Sequence, residues 1–217
     1  MNIQIALNNM ISQQLRTGNV LKESILQLYK EIPRDDFVPS HFKQFAYSDM
    51  QIALPHQQRM MTPLEESLIL QALDLKGHET VLEVGTGSGF LTALLSRLCK
   101  KVISIDYYED FTQDASVLLK KHHCENIELI TADACQGWVD KAPYEAVIFS
   151  GGLETLSEIQ RLQTLPGGKL IALVGKEPNL QAQLHLLGHD NQWKKQILFE
   201  TNLPPLIDRL NHQHFVF

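Results

Sequence analysis

Apolar and polar positions along this chain follow two periods, and the change between them divides it. From residue 3 to 16, Ile5, Met10, Ile11 and Leu15 share a stripe opposite Gln4, Asn8, Asn9, Gln13 and Gln14, which predicts a helix. A second helix is expected at about 20–31, with Val20, Leu21, Ile25, Leu28 and Tyr29 at helical intervals, ended by Pro33. His41 to Ala46 reads as a short helical stretch, and Ala46 to Pro55 as loop or short strand. A further helix opens at Pro63, where proline suits the first turn. Glu65 and Glu66 sit at its positive end, and Leu68, Ile69, Leu70, Ala72 and Leu73 bury it. The N-terminal part carries no strand pattern and is expected to form a helical cap.

From Thr80 the pattern alternates between short apolar runs and helical spacing. Strands are predicted at Thr80–Val84, Lys101–Asp106, Asn126–Ala134, Ala146–Phe149 and Lys169–Gly175. Helices are predicted between them at Phe90–Leu98, Phe111–His122 and Leu156–Leu165, the last followed by a turn at Pro166-Gly167-Gly168. This is the signature of a doubly wound α/β fold. Leu180–Leu187 and Trp193–Glu200, joined by Gly188-His189-Asp190-Asn191, predict a C-terminal β hairpin, and His214–Phe217 a terminal strand.

With 217 residues, no repeat and no low-complexity linker, one domain is expected. It divides into a helical N-terminal part (1–76), a central α/β core (77–176) and a C-terminal β region (177–217). A formal net charge of −6 without a basic run argues against nucleic acid, whose phosphates need Lys and Arg. No apolar run is long enough to span a bilayer, and the first residues lack the features of a signal peptide, so no membrane partner and a cytoplasmic location are expected. Cys99, Cys124 and Cys135 have no metal-ligand spacing. His212 and His214 could share a strand face but lack a third ligand, so no metal site is expected.

The candidate chemistry lies where strands end. After Glu83 come Gly85, Thr86, Gly87 and Gly89, a strand–turn–helix that offers free backbone N–H groups above a sheet. The G-x-G-x-G spacing departs from the G-x-G-x-x-G of nicotinamide folds. The E-x-G-x-G-x-G run resembles motif I of S-adenosylmethionine-dependent methyltransferases. That resemblance implies that Asp106 faces ribose hydroxyls, that Tyr107 flanks the adenine, and that Asp133 and Ala134 lie beside it.

Most of the chain resembles the protein-L-isoaspartate (D-aspartate) O-methyltransferases. The matching pieces are Pro33-Arg34-Asp35-Asp36-Phe37-Val38-Pro39, Ala46-Tyr47-Ser48-Asp49, the glycine turn, Ala142-Pro143-Tyr144-Glu145 and Leu165-Pro166-Gly167-Gly168-Lys169-Leu170. The resemblance implies a Rossmann-like methyltransferase fold with S-adenosylmethionine as cofactor. It implies methyl transfer to the α-carboxylate of isoaspartyl residues in damaged proteins, a repair reaction whose substrate is an isoaspartyl peptide or protein. The segment around 46–63 then faces the acceptor, and Leu203-Pro204-Pro205-Leu206 resembles a segment that closes near the cofactor, with Thr201 and Asn202 as candidate lining residues. The family's active serine lies in a Thr-Ile-Ser-x-Pro stretch. Aligned on Pro63, this chain reads Arg59-Met60-Met61-Thr62-Pro63, which places Met61 at the serine and makes the chain resemble a divergent bacterial branch. Met61, Thr62 and Ser150 are the acceptor-side candidates. Two other readings are a methyltransferase of the same fold with a different acceptor, and a cofactor-binding homologue without isoaspartyl activity.

Overall fold

The structure is a computed structural model that describes residues 3–207. Its centre is a seven-stranded sheet built from β3 (Thr80–Val84), β4 (Lys101–Asp106), β5 (Ile127–Thr131), β6 (Tyr144–Leu153), β7 (Thr164–Lys176), β8 (Asn179–Leu187) and β9 (Trp193–Thr201). The order is β5-β4-β3-β6-β7-β8-β9. β3 to β7 pair in parallel, and β8 and β9 are added antiparallel at one edge. The chain leaves β3 in one direction to β4 and β5, then returns to place β6 on its other side. That reversal makes a crevice at the carboxyl ends of β3 and β6, where ligands of such sheets bind.

Strand alternation assigns each face. Val81, Val102, Ala146, Ile148 and Ile171 point to the face covered by the N-terminal cap, α3 (Pro63–Leu73), α4 (Phe90–Ser96) and α5 (Glu109–Lys121). Leu82, Val84, Ile103, Ile105, Val147 and Phe149 point the other way, against Ala134, Cys135, Trp138 and Leu156. The cap consists of α1 (Ile3–Asn9), which continues as a π-helical turn over Met10–Leu15, and α2 (Glu23–Glu31). A two-stranded ribbon, β1 (Ile52–Ala53) and β2 (Arg59–Met60), follows before α3. All three cysteines are buried, and none forms a disulfide.

Four expectations are corrected. The strand expected at Asn126–Ala134 stops at Thr131, and Asp133 takes the Cys135 amide on its own carboxylate in the turn that follows. The helix expected at Leu156–Leu165 is only α6 (Glu158–Arg161), capped by Ser157 and Gln160. The chain then enters β7 directly, because the amide of Tyr144 donates to the Gln163 carbonyl and starts the β pairing there. The expected turn at Pro166-Gly167-Gly168 is consequently an irregularity inside β7. The fourth core strand runs well beyond Ala146–Phe149 in both directions. β2 had no pattern of its own, being two residues long. The terminal strand at His214–Phe217, with His212 and His214, lies outside the described residues.

Candidate functional site

Glu83 organises the turn from below. It is fully buried on β3, and its Oε2 accepts from Thr92 Oγ1 at 2.6 Å and Ser104 Oγ at 2.7 Å. Ser104 also bonds Thr86 Oγ1 at 2.7 Å, so a chain of hydroxyls joins the glycine turn to the carboxyl group. Burial pushes Glu83 up to about 7, against the pull of Thr92 and Ser104, and its Oε1 has no hydrogen-bond partner. The turn itself needs glycine. Gly85 has φ +104°, and a Cβ there would overlap the Ser150 hydroxyl. Gly89 has φ +80°, and a Cβ would come within 2.8 Å of Ala115 on α5. Gly85 therefore lets β6 close on the turn, and Gly89 lets α5 close on α4.

Asp106 ends β4 beside this turn. Its Oδ2 accepts from the Gly87 amide at 2.8 Å and its Oδ1 from the Tyr108 amide at 3.0 Å. Burial raises its pKa, opposed by those amides. A cleft of about 580 Å³ of empty space, open to solvent at its mouth, runs over Asp106. Gly85 and Gly87 line it at one end, Tyr107 and Tyr108 along one side, and Ala134 with Cys135 along the other. Asp133 sits between the lining residues Ala132 and Ala134, and its carboxylate accepts from the Cys135 amide at 3.1 Å.

A register shift in β6 supplies the far wall. Phe149 pairs with Ala172 and Gly152 with Leu173, so Ser150 and Gly151 are extra residues pushed towards the turn. Ser150 Oγ lies 2.8 Å from the Val84 carbonyl and 2.7 Å from that of Gly85, to which its proton is donated. The segment after β9 straps this bulge. The Gly152 amide donates to Pro204, the Leu206 amide donates to Gly152, and Leu206 lines the cleft.

A smaller pocket opens from the turn towards α3, lined by Arg59, Met60, Met61, Glu66, Thr86 and Ser150, among others. Met61 is buried. Thr62 is engaged as the N-cap of α3: its Oγ1 accepts from the Glu65 amide at 3.2 Å, and its own amide donates to Glu65 Oε2 at 2.7 Å. Glu66 is buried and faces the fully buried Arg34, whose Nε lies 3.3 Å from its Oε2. Burial raises Glu66 to about 7, against the Arg34 charge. His56 fastens the ribbon across the cleft: it stacks on Tyr108 at 3.8 Å between ring centroids, and its Nε2 lies 2.8 Å from Asp110 Oδ2.

Residues 6–211 match the protein-L-isoaspartate(D-aspartate) O-methyltransferase family. The chain belongs to that family. It is 34% identical over 166 residues to the protein-L-isoaspartate O-methyltransferase of Pelotomaculum thermopropionicum, covering 76% of this chain and 72% of the relative. It is 30% identical over 205 residues to that of Herpetosiphon aurantiacus, covering 94% and 91%. Among solved structures, a Plasmodium falciparum chain described as a protein-L-isoaspartate O-methyltransferase, in complex with S-adenosyl-L-homocysteine, superposes with a TM-score of 0.78 at 18% identity, covering 95% of this chain and 99% of that one. A second protein-L-isoaspartate O-methyltransferase structure gives 0.79 at 21%, covering 94% and 67%. The fold is therefore the α/β methyltransferase fold with added antiparallel strands.

For this isoaspartate O-methyltransferase family member, the described geometry separates the candidate residues. Gly85, Gly87, Asp106, Tyr107, Ala134 and Ser150 line one cleft. Thr86, Met61 and again Ser150 line the adjoining pocket. Glu83 lies beneath, Gly89 packs helices, Thr62 caps α3, and Asp133 bonds its own turn. Asn202 lines an outer cleft with His56 and Tyr108, whereas Thr201 bonds Glu65. Sequence reasoning passed over Arg34, Arg59, Glu66, Thr92, Ser104 and Tyr108. Tyr108 adjoins a named candidate, and the hydroxyls of Thr92 and Ser104 on otherwise apolar stretches were a usable clue to a buried polar partner.

Proposed function

We propose that this protein methylates the α-carboxylate of L-isoaspartyl residues, with the cofactor in the Asp106 cleft and the acceptor entering beside Met61. The site suits S-adenosylmethionine on its own geometry. The turn at Gly85 and Gly87 brings backbone close to a ligand, and Asp106 keeps oxygen lone pairs for hydroxyls at the end of β4. Ala134 and Tyr107 give flat, apolar walls for an adenine. When bound, the cofactor supplies a methyl group on an activated sulfonium.

The chain's own residues then have a modest task. A carboxylate acceptor is already a nucleophile, so no base is required, and alignment with exclusion of water accounts for most of the acceleration. The bulge at Ser150-Gly151 holds the glycine turn against β6 by the Ser150 bonds to Val84 and Gly85. The Leu206 strap narrows the cleft. Met61 stands where the family stretch has serine, so this chain offers an apolar, adaptable wall in place of a hydroxyl. Arg34 offsets the charge of Glu66 in the same pocket, which lowers repulsion of an incoming carboxylate.

The observation that carries this reading is the meeting of the Asp106 cleft and the Met61 pocket at Gly85, Gly87 and Ser150, within a chain of this family. The test is methyl transfer from labelled S-adenosylmethionine to an isoaspartyl peptide, with the α-aspartyl peptide as control. Transfer to the isoaspartyl form alone, lost in Asp106→Ala, is expected. Tight S-adenosylhomocysteine binding with no transfer would sink the acceptor assignment and leave the cofactor assignment standing.

A further inference from the structure

We infer that Arg59 is the acceptor-binding residue of this site: its guanidinium takes the carboxylate that is to be methylated, in the stretch where this chain has lost the family's serine. The inference rests on the proposed carboxylate acceptor. Arg59 lies at the junction of three adjoining cavities. It lines the Asp106 cleft, the Met61 pocket and the outer cleft that holds His56 and Asn202. Among the described residues, nothing accepts a hydrogen bond or forms an ion pair with its guanidinium. A planar fork of five donors at that junction matches a carboxylate, which it can hold with two parallel bonds.

The backbone that carries Arg59 is fixed rather than loose. Ala53 pairs with Arg59 and Ile52 with Met60 in the ribbon. The alternation buries Met60 and turns Arg59 outward. The amide of Leu54 donates to Gln58 at 2.8 Å, and that of Gln58 to Pro55 at 3.0 Å, closing the loop between the strands. His56, in this loop, is stacked on Tyr108 and paired with Asp110, so the ribbon is anchored to α5 across the cleft. Arg59 precedes Met61 by two residues in an extended segment, and both line the inner pocket. Aligned on Pro63, Arg59 falls on the threonine that opens the family's Thr-Ile-Ser-x-Pro stretch. This chain has therefore exchanged a neutral hydroxyl for a cation two residues away.

The exchange has a kinetic consequence. Methylation turns the acceptor anion into a neutral ester, so a guanidinium binds substrate more strongly than product. Charge on the carboxylate falls in the transition state, so Arg59 lowers KM without raising kcat. A carboxylate also exists on the amino-acid end of the cofactor, and the two sources separate by experiment.

The experiment titrates an isoaspartyl peptide, and the same peptide with that α-carboxyl amidated, into S-adenosylhomocysteine-loaded protein. It compares wild type with Arg59→Gln and Arg59→Lys, and measures S-adenosylhomocysteine affinity and transfer kinetics in parallel. Wild type should prefer the acid over the amide by about tenfold to a hundredfold, as expected for a charged hydrogen-bonded contact. Arg59→Gln should abolish that preference and raise peptide KM by a similar factor without lowering kcat, and Arg59→Lys should restore part of it. Cofactor affinity should stay within about twofold, well under one tenfold step. Retained discrimination in Arg59→Gln overturns the inference, as does a tenfold loss of cofactor affinity with peptide binding unchanged. If wild type prefers the acid through Arg59 yet transfers no methyl group, the repair reading falls and Arg59 stands. If wild type transfers but never distinguishes acid from amide, Arg59 falls and the repair reading stands.

Discussion

Arg34 Nη2 donates to the carbonyl of Met61 at 2.5 Å, tying the N-terminal cap to a residue of the pocket beside the glycine turn. The same guanidinium donates to Ala46 at 2.9 Å and faces Glu66, and it lies 5.5 Å from the centre of the Phe90 ring at the start of α4. One buried side chain thus holds the Ala46 and Met61 backbone, α3 and the glycine-turn helix together. Replacing it with methionine strands Glu66 without its cation, which typically costs about 3–5 kcal/mol when one partner of a buried pair is removed. Urea unfolding of Arg34→Met at pH 8 should show that loss. The loss should shrink at pH 5, where Glu66, raised to about 7 even with Arg34 present, takes up a proton. Equal losses at both pH values would mean that packing, not charge, makes Arg34 indispensable.

Glu83 sets a second pH dependence. Its folded pKa of about 7 lies above the ordinary value of 4.5, so between those values the folded state binds the extra proton. Stability contributed by this group is full below about 4.5 and falls as pH rises towards 7. His185 acts in the opposite sense: burial lowers it to about 4 from 6.5, so its contribution is lost as pH falls through that range. Comparing Glu83→Gln with wild type cancels the His185 term. The stability of Glu83→Gln relative to wild type should rise by roughly 2–4 kcal/mol between pH 4.5 and 8, the worth of two to three pKa units. A flat difference would show that Glu83 ionises normally in the folded protein.

The contrast between Glu83 and Arg34 shows what was legible in the chain. Glu83 precedes three glycines at fixed spacing on an apolar strand, so its local pattern announced it. The parallel core was readable for the same reason, because strand and helix periods are local. Arg34 sits in Pro33-Arg34-Asp35-Asp36, which reads as an exposed polar turn, and its carboxylate partner lies 32 residues on. No local rule buries an arginine. Arg59 was hidden likewise, because β2 has two residues and takes its place from the ribbon's closure by His56 and Tyr108. The misplaced α6–β7 boundary has the same origin: Gln163 and Thr164 belong to β pairing with Tyr144, a partner distant in sequence.

Gly85 and Gly89 should fail differently. Both have φ in the left-handed half of the map, so alanine carries backbone strain of about 1–3 kcal/mol at either position. At Gly89 the added Cβ also meets the backbone-borne Ala115 Cβ, forcing α4 and α5 apart, so Gly89→Ala should lower the denaturation midpoint strongly. At Gly85 the added Cβ meets the Ser150 hydroxyl in the cleft wall. Gly85→Ala should therefore lose S-adenosylhomocysteine affinity by a larger factor than its stability loss accounts for, and Gly85→Ala/Ser150→Ala should recover part of it. Calorimetry on both variants, with urea unfolding alongside, checks this. No recovery in the double variant would mean that the strained turn, not the clash, governs binding.

Met61 and Arg59 should be coupled if the guanidinium has taken over the serine's work. Met61 is buried, so Met61→Ser alone loses apolar contact worth about 2–3 kcal/mol of stability. With Arg59 in place, the restored hydroxyl adds little, and peptide KM should move by no more than about threefold, under the usual net worth of a neutral hydrogen bond. In an Arg59→Gln background the same change supplies the only strong new donor for the acceptor carboxylate in the Met61 stretch. There it should lower KM by about tenfold, a coupling of about 0.7–1.4 kcal/mol in the double-mutant cycle once the smaller shift with Arg59 in place is subtracted. Steady-state kinetics on the four proteins give the coupling directly. Strict additivity would show that the two residues act on different parts of the acceptor.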